Sequence, residues 1–178
     1  MKRKVAVFIV LVLALSFAGC RSRTDKSEGT VIMSISNFNL LPIQVSATTG
    51  PFDIPSVTIS SVAKDPTGTT SSLQTIELRS QEVTYTRRDT GTRVPPPLVL
   101  ATFGNIPVGG QTTIINFHFL TSDQLLNPPI LDLFRNGVDS ETGSAVIVLD
   151  VHIRVFGRTL AGDDIVSQTA SFTIEVTQ

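Results

Sequence analysis

Residues 144–156, SAVIVLDVHIRVF, alternate so regularly that they leave little choice of secondary structure. Ala145, Ile147, Leu149, Val151, Ile153 and Val155 all fall on one parity. Side chains two apart share a face only in an extended strand, whereas a helix brings together residues three and four apart. The opposite parity starts apolar, with Val146 and Val148, and turns polar at Asp150, His152 and Arg154. After the reversing segment GRTLAGDD the pattern repeats in IVSQTASFTIEV. There Val166, Ala170, Phe172, Ile174 and Val176 are expected inward, with Gln168 the one polar exception, and Ser167, Thr169, Ser171, Thr173 and Glu175 outward. Two such strands in succession predict an antiparallel sheet with one buried and one solvated face.

The rest of the chain from Gly29 reads in the same way. TVIMSISNF, LPIQVSA and PSVTISSVAK are short runs of alternating or β-branched residues, the last closed by the turn DPTGTTSS. In LQTIELRSQEVTYTRR, Ile76 and Leu78 share one parity and Val83 and Tyr85 the other, which predicts a bulge between Arg79 and Gln81. RRDTGTR is a hairpin turn. The three prolines of VPPPL cannot donate ladder hydrogen bonds, so that segment is expected at an edge or crossing between sheets. LVLATF and QTTIINFHFL are further strands, the second with Ile115, Phe117 and Phe119 on one side. Helix is expected only near residues 121–135. Thr121 or Ser122 caps it, Asp123 stands in its first turn, and Pro128 and Pro129 interrupt it, so it should cover one end of the fold. Seven or eight strands with almost no helix, and no repeat, predict an all-β, antiparallel two-sheet sandwich.

The first 19 residues follow a different logic. Lys2, Arg3 and Lys4 precede an uncharged run from Val5 to Ala18. As a helix those fourteen residues measure roughly 21 Å, short of the ~30 Å hydrocarbon core of a bilayer, which favours a signal-peptide helix over a membrane span. The chain's single cysteine, Cys20, follows at once. Residues 21–29, RSRTDKSEG, have no apolar anchor and are expected to act as a flexible tether of roughly 17 Å. The expected organisation is therefore a signal peptide over 1–19, a tether over 20–29 and one domain over 30–178. Three of the chain's 14 Lys and Arg lie in the leader and all 15 Asp and Glu lie beyond it, leaving the remainder near −4. That balance, without a basic stripe, argues against nucleic acid as a partner.

Phe17-Ala18-Gly19-Cys20 resembles the lipobox of bacterial lipoprotein precursors, departing from it at Phe17, where leucine is usual. The resemblance implies cleavage before Cys20, acylation of its sulfur and anchoring in membrane lipid. Arg21 stands where aspartate commonly marks inner-membrane retention, which implies an outer membrane if the source has one. An ordinary secretory signal cut after Ser16-Phe17-Ala18 is the alternative; it would leave an unpaired thiol in an oxidising compartment. From Glu82 to Val176 the chain looks like the immunoglobulin-like or fibronectin-III-like domains of exported bacterial proteins. EVTYTRRDTGTRVPPP, QLLNPPILDL and VFGRTLAGDD, in that order, resemble a set of bacterial lipoproteins with no assigned activity. This implies fold and a cell-membrane or outer-membrane location, and brings no catalytic residue.

Little in the sequence points to chemistry. No Gly-x-Ser-x-Gly, HExxH or phosphate-binding loop occurs, and neither catalysis nor a cofactor is expected. With no Trp and one Tyr, an aromatic sugar platform is disfavoured. His118 and His152 lie on the polar parity of their strands. If those strands pair, the two rings and Asp150 would form a three-ligand metal site; otherwise they are solvated sheet-face residues. Asp139 and Glu141, and Asp163 with Asp164, are acidic loops open to either turn chemistry or calcium. Val146, Val148 and Phe156 form an apolar outward patch, to be covered by the QLLNPPILDL segment or by a partner such as an envelope protein. Two functions follow: a non-catalytic interaction or structural module of the envelope, or an exported protein holding a small ligand or metal at the membrane.

Overall fold

The computed structural model describes residues 29–178. The expected signal helix, Cys20 and the tether up to residue 28 lie outside the described residues.

Two sheets pack face to face. The first contains β1 (Val31–Asn39), β3 (Phe52–Ala63) and β6 (Gln111–Leu120), in the order β1-β3-β6. The second contains β2 (Gln44–Ser46), β4 (Ile76–Arg87), β5 (Leu98–Ile106), β7 (Val146–Thr159), β8 (Asp164–Val166) and β9 (Ala170–Thr177). Its order is β2-β9-β7-β4-β5, with β8 also beside β7. Placing the first, second and fifth long strands opposite the third, sixth and last is the immunoglobulin-type division, with β5 added at one edge. The sandwich is thus as expected. Two strands, β2 and β8, are only three residues long, and β2 runs parallel to β9.

The core is formed by the inward parity of both sheets. Ile54, Val57 and Ile59 of β3 and Phe117, Phe119 and Leu120 of β6 meet Val83, Tyr85, Ile147, Leu149, Val151 and Ile153 of the second sheet. Phe172 bridges the layers, its ring 5.5 Å edge-on from Phe119 and 5.7 Å from Phe38. The expected bulge is present: pairing of β4 with both neighbours shifts register between Leu78 and Ser80. Gly157 lies opposite Leu78, where a Cβ would come within 2.6 Å of Ile76 and 2.8 Å of the Glu77 carbonyl, so no larger residue fits that close approach.

Three expectations about facing are corrected. Ile115 points outward, 72% exposed, while Phe117 and Phe119 point in. Asn116, just before Phe117, has φ 51°, and it stands opposite Pro55 in a ladder whose register is constant from Asp53 to Ser60. Both strands change parity there together, β3 from Ile54 to Val57 and β6 from Phe117 to the partly buried Ile114. Second, the run IVSQTASFTIEV is two strands, not one. Ile165 and Ser167 are buried, Val166 and Gln168 exposed, and the register against β7 slips by one residue between β8 and β9. Ser167 Oγ accepts the Val155 N–H at 2.9 Å and so repairs the ladder at the slip. Third, Ala145 precedes β7 and is exposed.

The interrupted helix forms as α1 (Ser122–Leu125) and α2 (Ile130–Asn136). Gln124 Oε1 accepts the Thr121 N–H at 3.1 Å in a capping box, and Gly137, at φ 75°, ends α2. Ile130 and Leu133 are fully buried, so the segment closes one end of the sandwich. We call this the far pole. The near pole is the opposite end, where Gly29, turn 107–110 and turn 160–163 lie.

Candidate functional site

The densest polar assembly lies at the far pole. Arg87 ends β4 with its side chain only 2% exposed. Its guanidinium grips Asp89 through Nε at 2.6 Å and Nη2 at 2.9 Å, reaches Asp139 Oδ2 at 3.0 Å, and donates to the Arg93 carbonyl at 3.3 Å. Asp89 also accepts the N–H groups of Gly91 and Val148. Asp139, fully buried, accepts from the Thr142 hydroxyl at 2.7 Å and from the N–H groups of Glu141 and Thr142. Glu141 reaches across to the Thr92 hydroxyl and to the N–H groups of Thr92 and Arg93. Arg93 pairs with Asp132 of α2 at 3.0 Å. The assembly pins the 88–93 turn to the 139–144 turn and to α2.

Electrostatics follow from these contacts. Burial works to raise the Asp139 carboxyl, yet hydrogen bonds from Thr142 and Arg87 hold it below its ordinary value. Asp89 is likewise lowered against its burial by Arg87 and the Val148 and Gly91 N–H groups. Glu141 is lowered chiefly by the Thr92 hydroxyl and then by backbone N–H donors. These carboxylates are thus ionised and engaged with groups of the chain itself. The acidic loop around Asp139 and Glu141 is turn chemistry joined to a buried arginine. At the near pole Asp163 is likewise a turn residue, donating its N–H to Thr159 Oγ1 at 2.9 Å, while Asp164 is exposed and stands 3.7 Å from Arg158.

The two histidines do not meet. His118 is on β6 of the first sheet and His152 on β7 of the second, and each ring points outward, so they lie on opposite faces of the molecule. The pairing a shared metal would need is absent because the strands belong to different layers. His118 Nδ1 contacts the Asp53 carboxylate. His152 bonds Thr86 Oγ1 at 2.8 Å, a diagonal neighbour on β4, and Ser171 Oγ at 2.7 Å, the residue directly across on β9. Asp150 accepts from Thr173 Oγ1 at 2.6 Å and faces Arg88 at 3.8 Å. Among the described residues no three His, Cys, Asp or Glu side chains gather as metal ligands.

The outward apolar residues of β7 are not one patch. Val148 and Phe156 are eight residues apart, about 26 Å along a strand. Both valines and Phe156 are half-buried. Arg88 donates its N–H to the Val148 carbonyl at 3.0 Å, while Arg154 lies 5.7 Å over the Phe156 ring. Phe156 instead joins a cross-sheet row with Val166 on β8, Ser80 on β4 and Ala101 on β5. On the same outer face, β5 exposes Val99 at 63% and Phe103 at 85%. The sequence contained the signal, since Val99, Ala101 and Phe103 alternate with the inward Leu98, Leu100 and Thr102.

A shallow open cleft of about 400 Å³ lies at the near pole. Thr30, Ala63, Lys64, Asp65 and Gln74 line it. Asp65 is turned to its own loop, accepting from the Thr67 hydroxyl at 2.7 Å and the Thr67 N–H at 2.9 Å. Those bonds hold its carboxyl below the ordinary value.

The strand order defines a β-sandwich of immunoglobulin type, with a buried charge cluster at the far pole and apolar residues exposed on the outer face of β5. No family model matches the chain, and no curated protein or solved structure matches it either. Among the described residues no helix is long and apolar enough to cross a membrane.

Proposed function

We propose that the chain is a lipid-anchored envelope protein, held in the cell membrane or outer membrane by acylated Cys20. Its sandwich serves as a non-catalytic interaction or structural module. The observation that carries this reading is the position of the one cysteine: behind a basic start, a fourteen-residue uncharged run, and Ala18-Gly19. The domain begins only nine residues later, which suits a short tether. Support for a non-catalytic role comes from Arg87, Asp89, Asp139 and Glu141, whose charges are engaged with one another and with turn backbone. An exposed set such as Val99 and Phe103 suits contact with another molecule better than turnover of one.

Metabolic labelling with an alkyne fatty acid tests the anchor. The full chain should take up label and fractionate with membranes, and Cys20→Ser should lose the label and leave the membrane fraction. Label retained in Cys20→Ser, or none in the parent chain, would sink the reading.

A further inference from the structure

The near pole carries more than the cleft. Three segments are tied together there by backbone and side-chain hydrogen bonds. Thr30 accepts the Lys64 N–H at its carbonyl, 3.0 Å, and the Gln74 side-chain amide at its hydroxyl, 3.0 Å. Gln74 belongs to a 3-10 turn (Ser72–Gln74) that is locked by a capping box. Ser71 Oγ accepts the Leu73 N–H and Gln74 Oε1 accepts the Ser71 N–H. The same turn binds the β7–β8 turn, the Leu73 carbonyl accepting the Ala161 N–H at 2.9 Å and the Thr75 carbonyl the Leu160 N–H at 3.0 Å. Gly29 is wedged against the other side of that turn, where a Cβ would come within 2.1 Å of Ile165 Cδ1 and 3.5 Å of Asp163. The chain therefore enters the domain between two tips that present leucines to solvent, Leu73 at 56% and Leu160 at 49% exposure.

The turns themselves do not call for leucine at these tips, and about half of each side chain faces solvent. Both turns are closed by backbone and capping hydrogen bonds that any residue with a backbone N–H could make at those positions. Turn tips ordinarily carry Gly, Asn, Asp or Ser. Here each tip carries a large apolar residue, and the two tips are hydrogen-bonded neighbours.

We propose that Leu73 and Leu160 seat on the lipid surface beside the anchor, so that the near pole docks onto the bilayer. This rests on the anchored reading above. The length of chain decides the occupant. Gly29 lies nine positions beyond Cys20, a stretch that extends to at most about 32 Å. An acylated Cys20 thus holds these two tips within one domain's breadth of the headgroups, at a high effective concentration. Under that constraint a weak apolar contact suffices, where two leucines alone would not hold an untethered protein. The far pole, with α1 and α2, is directed away from the membrane.

The chain has no tryptophan, so one introduced at a tip reports alone. Leu73→Trp, Leu160→Trp and, at the far pole, Leu126→Trp (65% exposed in the parent) are purified from membranes as full chains. Each is reconstituted into phosphatidylcholine–phosphatidylglycerol vesicles containing a brominated lipid. All three should float with the vesicles. Tryptophan at 73 and at 160 should be blue-shifted and quenched at least twofold more than at 126, and Cys20→Ser should abolish both effects. Flotation with equal quenching at all three sites would overturn the docked orientation while leaving the anchor standing. Failure of the parent chain to float would overturn the anchored reading and this one with it. Two tip variants guard against one of them misfolding.

Discussion

Tyr85 is the chain's one tyrosine, and its hydroxyl donates across the sandwich to the Phe119 carbonyl, buried on both sides. Burial pushes its phenol above the usual range. Tyr85→Phe keeps the ring and removes that buried cross-layer hydrogen bond, so it should cost about 1–2 kcal/mol, read as a lower urea midpoint with an unchanged slope. Ser61 is the opposite case. It is fully buried on β3 opposite Met33, and its Oγ has no hydrogen-bond partner. Ser61→Ala removes an unsatisfied group, and should be neutral or raise the melting temperature. A clear loss of stability would show that the hydroxyl has a role the contacts do not reveal. Arg87 gathers the largest charge cluster. Arg87→Ala leaves Asp139 buried with its arginine partner gone and should destabilise by about 3–5 kcal/mol. The sign of the pH effect follows from the lowered carboxyls of Asp89 and Asp139. Their folded values lie below the unfolded one, so their stabilisation is complete above about pH 4 and disappears as pH falls through the folded values. Urea midpoints measured from pH 6 to 2.5 should fall at the acid end, and fall less in Asp139→Asn.

The elements that were legible in the sequence are those whose pattern is carried by side chains. The inward parity of β7 from Ile147 to Val155, the bulge at Arg79 and the proline-split helix could all be read from residue type, because strand alternation and helix caps are local. What could not be read is set by the backbone. Ile115 looked inward because it shares parity with Phe117, but Asn116 in a left-handed conformation opposite Pro55 reverses the facing. Val166 looked inward for the same reason, until Ser167 replaced a ladder carbonyl with its hydroxyl. Asn116 tolerates φ 51° where a β-branched residue does not. Asn116→Gly should therefore be nearly neutral and Asn116→Val should lose about 1–2 kcal/mol or more, compared by thermal melts. The charged site was illegible for another reason. Asp139 is 52 positions from Arg87, and only the packing of the two turns at the far pole brings them together. The two histidines failed in the converse way: similar positions on two strands gave no hint that the strands lie in different layers.

At the scale of the whole molecule, one core joins both sheets, and Phe172, Tyr85 and Gln81 each reach from one layer to the other. Heating should give a single transition, with calorimetric and van't Hoff enthalpies equal. Two separated transitions would mean that the layers melt apart. The poles also impose a polarity on the chain. Gly29 is at one end, while β9 rises to the other, where Gln178 meets the Phe134 carbonyl at 3.5 Å. Between them the route passes through β2, which lies parallel to β9 over Gln44–Ser46 and Glu175–Thr177. A pull on Gly29 resisted at Gln178 would therefore run along the strands. It would load the β2–β9 bonds, the Ala47 N–H to Thr177 carbonyl at 2.7 Å and the Glu175 N–H to Ile43 carbonyl at 2.8 Å among them. Loaded in shear these bonds must give way together, whereas a peeling force would take them one at a time. Behind the β1–β3 ladder that such a pull meets first, the short parallel strand would act as a mechanical latch between the two poles.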